Sequence, residues 1–193
     1  MITIIGSGRV GATTAAFLMF FEPDNEIVLI DIIKNLPPQG EALDLNHAAA
    51  ILGKSVRYRG GSNDYKDMEG SDLVIVTAGL ARKPGMTREE LAGKNAEIVA
   101  SIAEQIRKYA PNSIVIITTN PLDAMVYVLY KKLGFPRNRV IGFSGVLDSQ
   151  RMAYYASLLV GIAPRVNNTV VLGQHGENMY SAGGILRIWK ATH

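Results

Sequence analysis

The sequence contains no cysteine. That excludes a disulfide scaffold, a thiolate zinc site and a cysteine nucleophile, and no metal site is expected. Long apolar runs are missing too. A membrane helix needs roughly 18 uninterrupted apolar residues, and the longest run, Ala15 to Phe21, is far too short. Met1-Ile2-Thr3-Ile4-Ile5 has no basic leader and runs straight into Gly6, so it reads as a strand rather than a signal peptide. With neither cysteine nor export signal, a cytoplasmic protein without a membrane partner is expected. Charge of one sign is scarce as well. Lys plus Arg is 20 and Asp plus Glu is 17, a net +3 that is scattered rather than blocked. Nothing there calls for a nucleic acid. No internal repeat or low-complexity segment is visible.

What is present is an ordinary packed chain. Its 193 residues are 48% hydrophobic and 19% charged, too apolar for disorder and enough for one domain, or one plus part of another. Short apolar runs alternate with longer stretches of helical spacing. Strands are expected at Met1–Ile5, Ile27–Asp31, Ser55–Arg59, Leu73–Thr77, Ile114–Thr118 and Val140–Ile141. The runs are mostly continuous, which belongs to parallel strands covered on both faces. Helices are expected at Gly11–Phe20, Glu41–Ile51, Glu89–Tyr109, Leu122–Leu133 and Leu147–Val160. This order predicts right-handed crossovers and a doubly wound α/β sheet. Pro37-Pro38, Gly60-Gly61, Lys83-Pro84-Gly85 and Ala110-Pro111-Asn112 mark turns.

The first strand runs into Gly6-Ser7-Gly8-Arg9-Val10-Gly11, a G-x-G-x-x-G that opens a helix. The first glycine permits a tight turn, the second lets a pyrophosphate approach the backbone, and the third lets helix and strand pack closely. The N–H groups and the positive end of the helix then hold the phosphates. The second strand ends in Asp31, about 20 residues beyond the last glycine, where a carboxylate accepts from ribose hydroxyls. It would repel a 2′-phosphate, so the expected cofactor is NAD rather than NADP.

Further along, Arg82 and Arg88 flank a Pro-Gly turn after the fourth strand, a segment that could fold over a ligand as a lid. Asn120 in Thr118-Thr119-Asn120-Pro121 could donate near the nicotinamide end of the cofactor. Asp148 and Arg151 are three apart on one helical face. His175 follows a strand in Gly173-Gln174-His175-Gly176. Singly, these read as a solvated loop, a turn, a surface ion pair and a structural histidine. Together they suit proton exchange at a hydroxyl during hydride transfer. A buried Asp148 would orient His175, Arg151 would fork onto a carboxylate, and Arg88 would polarise a carbonyl.

At these motifs, with Gly40-Glu41-Ala42-Leu43-Asp44-Leu45 and Thr77-Ala78-Gly79, the chain resembles the malate/lactate dehydrogenase family from Met1 to about Met179. It is similar in particular to prokaryotic, archaeal-type malate enzymes. The resemblance implies a Rossmann doubly wound parallel sheet over residues 1–145, the dinucleotide-binding domain. Residues 146–193 would begin an α+β substrate domain. It implies NAD as cofactor, malate and oxaloacetate as substrates, and a homo-oligomer. His175 matches the proton acceptor and Asp148 its carboxylate partner. Arg151 matches the arginine on the C1 carboxylate, Arg88 the carbonyl-polarising arginine, and Asn120 the asparagine that meets substrate and cofactor. Asn95 matches a residue beside the cofactor. Arg82 stands where malate enzymes carry arginine and lactate enzymes usually carry glutamine. A second carboxylate needs a cation once water is excluded.

The family normally runs past 300 residues, so this chain is expected to be incomplete, with the rest of the substrate domain absent. Glu177 stands where the family usually has aspartate, and the stretch from Tyr180 to Lys190 does not match. Lactate dehydrogenase is the alternative within the family. A non-catalytic NAD-binding remnant is the alternative outside enzyme function.

Overall fold

A computed structural model describes residues 1–21, 25–32, 38–61, 64–161, 169–176 and 178–181. The chain divides into two compact units, Met1–Gly142 and Phe143–His193.

The first unit carries six strands: β1 (Ile2–Ile5), β2 (Glu26–Ile30), β3 (Arg57–Gly60), β4 (Leu73–Val76), β5 (Ile114–Ile117) and β6 (Val140–Gly142). They form one parallel sheet in the order β3-β2-β1-β4-β5-β6. The order reverses between β1 and β4, and a doubly wound sheet of this kind binds its ligand outside the carboxyl ends at that reversal. Four helices cross between strands: α1 (Arg9–Phe21), α2 (Pro38–Ile51), α3 (Arg88–Tyr109) and α4 (Leu122–Leu133). The expected doubly wound sheet is therefore present.

Strand alternation feeds two cores. Ile2, Ile4, Ile27 and Leu29 pack with Ala15 and Met19 of α1 and Ala42, Leu45 and Ala49 of α2. Ile5, Val28, Ile30, Val74, Val76, Val115 and Ile117 pack with Val99, Ile102 and Ile106 of α3 and Leu122, Met125 and Leu129 of α4. Each large apolar side chain fully buried this way contributes about 1.5–3 kcal/mol. Covering both faces is why the central strands read as continuous apolar runs.

The edges differ from expectation. β3 begins at Arg57 rather than Ser55 and alternates, with Arg57 and Arg59 exposed around a buried Tyr58, because it is an outer strand. Pro38, expected in a turn, is the first residue of α2, where a missing N–H costs nothing. Pro37 lies outside the described residues. α3 starts on a capping box. The Thr87 hydroxyl accepts from the Glu90 N–H at 3.1 Å, and the Glu90 carboxylate accepts from the Thr87 N–H at 2.9 Å.

The second unit carries α5 (Gly145–Val160) and an antiparallel pair, β7 (Val171–Leu172) and β8 (Tyr180–Ser181). α5 ends at Gly161, whose φ of 67° lies in the left-handed region. Leu158 and Leu159 are exposed. Ile162, Glu177, Ile185, Leu186, Ile188 and Trp189 lie outside the described residues. Among the described residues no helix is long and apolar enough to cross a membrane.

Candidate active site

In the first unit the site begins where β1 turns into α1. Gly6 has φ 101°, and a Cβ there would stand 2.6 Å from the Ala78 nitrogen. A Cβ on Gly11 would collide with the Gly6 carbonyl oxygen, so only glycine lets α1 sit this close to the turn. Gly8 is different: nothing lies within 4 Å of where its Cβ would be. One glycine serves the turn, one serves packing, and one leaves the backbone open to an approaching group. These observations fit the phosphates of a dinucleotide. Arg9 and Val10 begin α1 and are exposed.

Asp31 follows β2 and is buried, at 7% exposure. Its Oδ2 accepts from the Ser7 N–H at 2.8 Å and from the Ser7 hydroxyl at 3.3 Å. The acid therefore braces the glycine turn as well as standing at the strand end. Tyr65 lies in a single turn of 3-10 helix, Tyr65–Met68. Burial and the Asp31 charge push its phenol above the ordinary range. Nothing in the sequence pattern singled out Tyr65.

Six further hydrogen bonds continue along the carboxyl ends. The Thr77 hydroxyl donates to the Gly6 carbonyl at 2.8 Å. Thr119 donates to the Ala78 carbonyl at 2.7 Å, and Thr118 to that of Val76 at 3.5 Å. Asn95, on α3 and 1% exposed, accepts from the Leu80 N–H at 2.8 Å. Its amide nitrogen donates to the Leu80 carbonyl at 3.3 Å and the Asn120 carbonyl at 2.7 Å. With the Ser7–Asp31 pair, these bonds join the ends of β2, β1, β4 and β5 into one polar seam. The sequence indicated most of its members but not that they hold one another.

Arg82 sits on the segment between Leu80 and α3, Arg88 at the junction with the helix, and both are exposed. Arg82 Nε donates to the Met86 carbonyl at 3.0 Å across the Pro84-Gly85 turn. Arg88 is the first residue of α3.

The second unit assembles the other group. Asp148 lies in the first turn of α5 and is 6% exposed. Its Oδ2 is 2.7 Å from His175 Nδ1, and its Oδ1 accepts from Arg151 Nη1 at 3.2 Å. The segment bearing His175 is stapled to α5. The Val171 N–H donates to the Ser149 hydroxyl at 3.0 Å, and the Thr169 hydroxyl donates to the Ser149 carbonyl at 2.9 Å. The sequence motif from Leu147 to Arg151 contains Ser149 but carries no signal of this stapling role. A carboxylate on Nδ1 fixes the orientation of the ring. Among the described residues no group of three or more His, Asp or Glu side chains could hold a metal ion.

Residues 1–142 match the family model for the NAD-binding domain of lactate/malate dehydrogenase. The chain is 86% identical over 180 residues to a malate dehydrogenase of Caldivirga maquilingensis, covering 93% of this chain and 58% of that protein. It superimposes on the malate dehydrogenase of Aeropyrum pernix with TM-score 0.87 at 57% identity, covering 94% of this chain and 58% of that one. The malate dehydrogenase of Archaeoglobus fulgidus in complex with NADH gives TM-score 0.85 at 43% identity, over 94% and 61%. The chain thus spans about 58% of the length of the curated relative it matches.

Proposed function

This chain belongs to the lactate/malate dehydrogenase family, with residues 1–142 as its NAD-binding domain, and we propose that it interconverts malate and oxaloacetate with NAD as cofactor. The observation that carries the reading is the Asp148–His175 pair at 2.7 Å with Arg151 on the same carboxylate. A histidine held at Nδ1 by a buried acid is built to move a proton at Nε2.

Gly6, Ser7, Gly8, Arg9, Val10 and Gly11 supply the turn and helix start that hold the cofactor's phosphates, and Asp31 its adenosine ribose. Thr118, Thr119 and Asn120 border its other end. When bound, NADH supplies the hydride that oxaloacetate takes up. The chain's own groups do the rest. His175 gives a proton from Nε2 to the new hydroxyl oxygen and takes it back in the reverse direction. Asp148 holds the ring and balances the charge it carries meanwhile. Arg151 forks onto the C1 carboxylate with the N–H groups that Asp148 leaves free. Arg88 stabilises charge developing on the carbonyl oxygen. Arg82 meets the second carboxylate, the group that separates oxaloacetate from pyruvate. We further propose a cytoplasmic homo-oligomer that needs neither nucleic acid nor membrane. Support for assembly comes from large apolar side chains exposed on α1 and α2, among them Phe17, Phe21 and Ile51.

His175→Asn is expected to lower kcat for oxaloacetate at least a thousandfold while NADH affinity stays within threefold. Asp148→Asn should lower kcat at least a hundredfold by releasing the ring. Unchanged turnover in His175→Asn would remove the proton-transfer role.

A further inference from the structure

Asn95 is an unusual residue for its place. The other buried positions of α3 are Val99, Ile102, Ala103 and Ile106, and an amide among them must find partners for every polar atom. It finds them on two segments. Oδ1 takes the Leu80 N–H at 2.8 Å, and Nδ2 gives to the Leu80 carbonyl at 3.3 Å. The side-chain amide therefore reads both backbone groups of Leu80, as a neighbouring strand would. Nδ2 also gives to the Asn120 carbonyl at 2.7 Å. An amide nitrogen carries two hydrogens, and both are now placed. Donor and acceptor are fixed by the partners, since an N–H needs an oxygen and two carbonyls need a nitrogen.

The positions of Leu80 and Asn120 give this clasp its meaning. Leu80 is where the chain leaves the end of β4 for the segment bearing Arg82 and Arg88. The segment runs into α3 through Thr87, fixed by the capping box on the same helix that carries Asn95, and Arg88 is the first residue of that helix. α3 thus grips both ends of the segment, one through Thr87 and one through Asn95. The same side chain holds the backbone of Asn120 after β5. On the functional reading above, which this inference takes as its basis, Arg82, Arg88 and Asn120 all face substrate.

We propose that Asn95 is a positioning residue that ties the start of the Arg82–Arg88 segment to Asn120, and that it acts through them rather than by bonding to the cofactor. Removing it should loosen substrate-side groups while leaving the phosphate and ribose grips of Gly8 and Asp31 intact. Asn95→Ala removes the whole clasp. Asn95→Asp keeps the volume and the acceptor for the Leu80 N–H, but it cannot give two hydrogens to two carbonyls.

The test uses the full chain and both variants, with three measurements on each: amide hydrogen exchange at Leu80 by NMR, NADH affinity, and oxaloacetate kinetics. In Asn95→Ala, Leu80 exchange should speed up at least tenfold while Val76 and Ile117 keep their protection. NADH affinity should stay within threefold, and kcat/KM for oxaloacetate should fall at least tenfold, with a raised KM. In Asn95→Asp, Leu80 should stay protected within threefold while kcat/KM falls as far as in the alanine variant. If the alanine variant does not fold, the aspartate variant carries the test. Unchanged Leu80 exchange in Asn95→Ala would overturn the clasp. A tenfold or greater loss of NADH affinity with normal turnover at saturating NADH would show direct cofactor contact instead. A wild-type chain without oxaloacetate turnover would count against the functional reading, while Leu80 exchange and NADH affinity would still decide the clasp.

Discussion

Asp31 answers to two demands. Buried at 7% exposure, its carboxylate needs donors. Ser7 supplies two of them through its N–H and hydroxyl. That fixes the acid at the end of β2, where it would repel a 2′-phosphate. NADPH is therefore expected to bind at least ten times more weakly than NADH in calorimetric titration, and equal affinities would remove Asp31 from this role. Arg82 gives a second prediction. Arg82→Gln deletes the cation assigned to the distal carboxylate and should shift the ratio of kcat/KM for oxaloacetate over pyruvate at least tenfold toward pyruvate, about 1.4 kcal/mol. An unchanged ratio would show that this side chain does not read that carboxylate. At this scale the sequence was informative wherever a residue type has few alternatives. A glycine that must fit under a carbonyl, an acid that ends a strand and a histidine after one are all visible in a string of letters. The partners were not visible, because Ser7 with Asp31, Thr77 with Gly6 and Asn95 with Asn120 are contacts between distant parts of the chain.

Among the elements, β3 is joined to α1 and α2 by polar contacts rather than by apolar burial alone. The Tyr58 hydroxyl donates to the Ala15 carbonyl at 2.7 Å. Asn46 of α2 brackets the Tyr58 backbone, accepting from its N–H at 2.9 Å and donating to its carbonyl at 2.7 Å. Burial pushes the Tyr58 phenol up to about 12 from 10.0. The fold thus favours the neutral phenol. Its contribution to stability is complete below pH 10 and is lost as pH rises from 10 through about 12. The loss should reach about 2 kcal/mol by the upper end. Tyr58→Phe should cost about 1 kcal/mol at neutral pH and remove that part of the alkaline slope. Denaturant unfolding at pH 8 and at about pH 11.5 checks both; parallel losses in the two proteins would exclude Tyr58 as the source. Legibility at this scale followed burial. The central strands and α4 were plain because two covered faces give unbroken apolar runs and a full helical stripe. The ends of β3 and α2 were not, since an outer strand alternates and a proline opens a helix as readily as a turn. β7 and β8, two residues each, are too short to carry any period.

Across the whole molecule the candidate site residues fall into two units. Met1–Gly142 holds the glycine turn, Asp31, the polar seam and the Arg82–Arg88 segment. Phe143–His193 holds Asp148, Arg151 and His175. The fold of the first unit could be read from strand and helix order, because a parallel sheet with crossovers admits few topologies. The second offered less: one helix and a short hairpin leave little pattern, and its histidine gained meaning only through the motifs beside it. The choice of substrate is not a property of the sheet at all. On the proposed function it would rest on a few charged side chains, Arg82 above all, at the ends of otherwise shared elements. The most direct test of the account is therefore NADH absorbance followed with the purified chain, with oxaloacetate and with pyruvate as separate substrates. Oxidation of NADH that depends on oxaloacetate and is at least tenfold faster, as kcat/KM, than with pyruvate is the expected result. No oxaloacetate-dependent oxidation, or a preference for pyruvate, would contradict it.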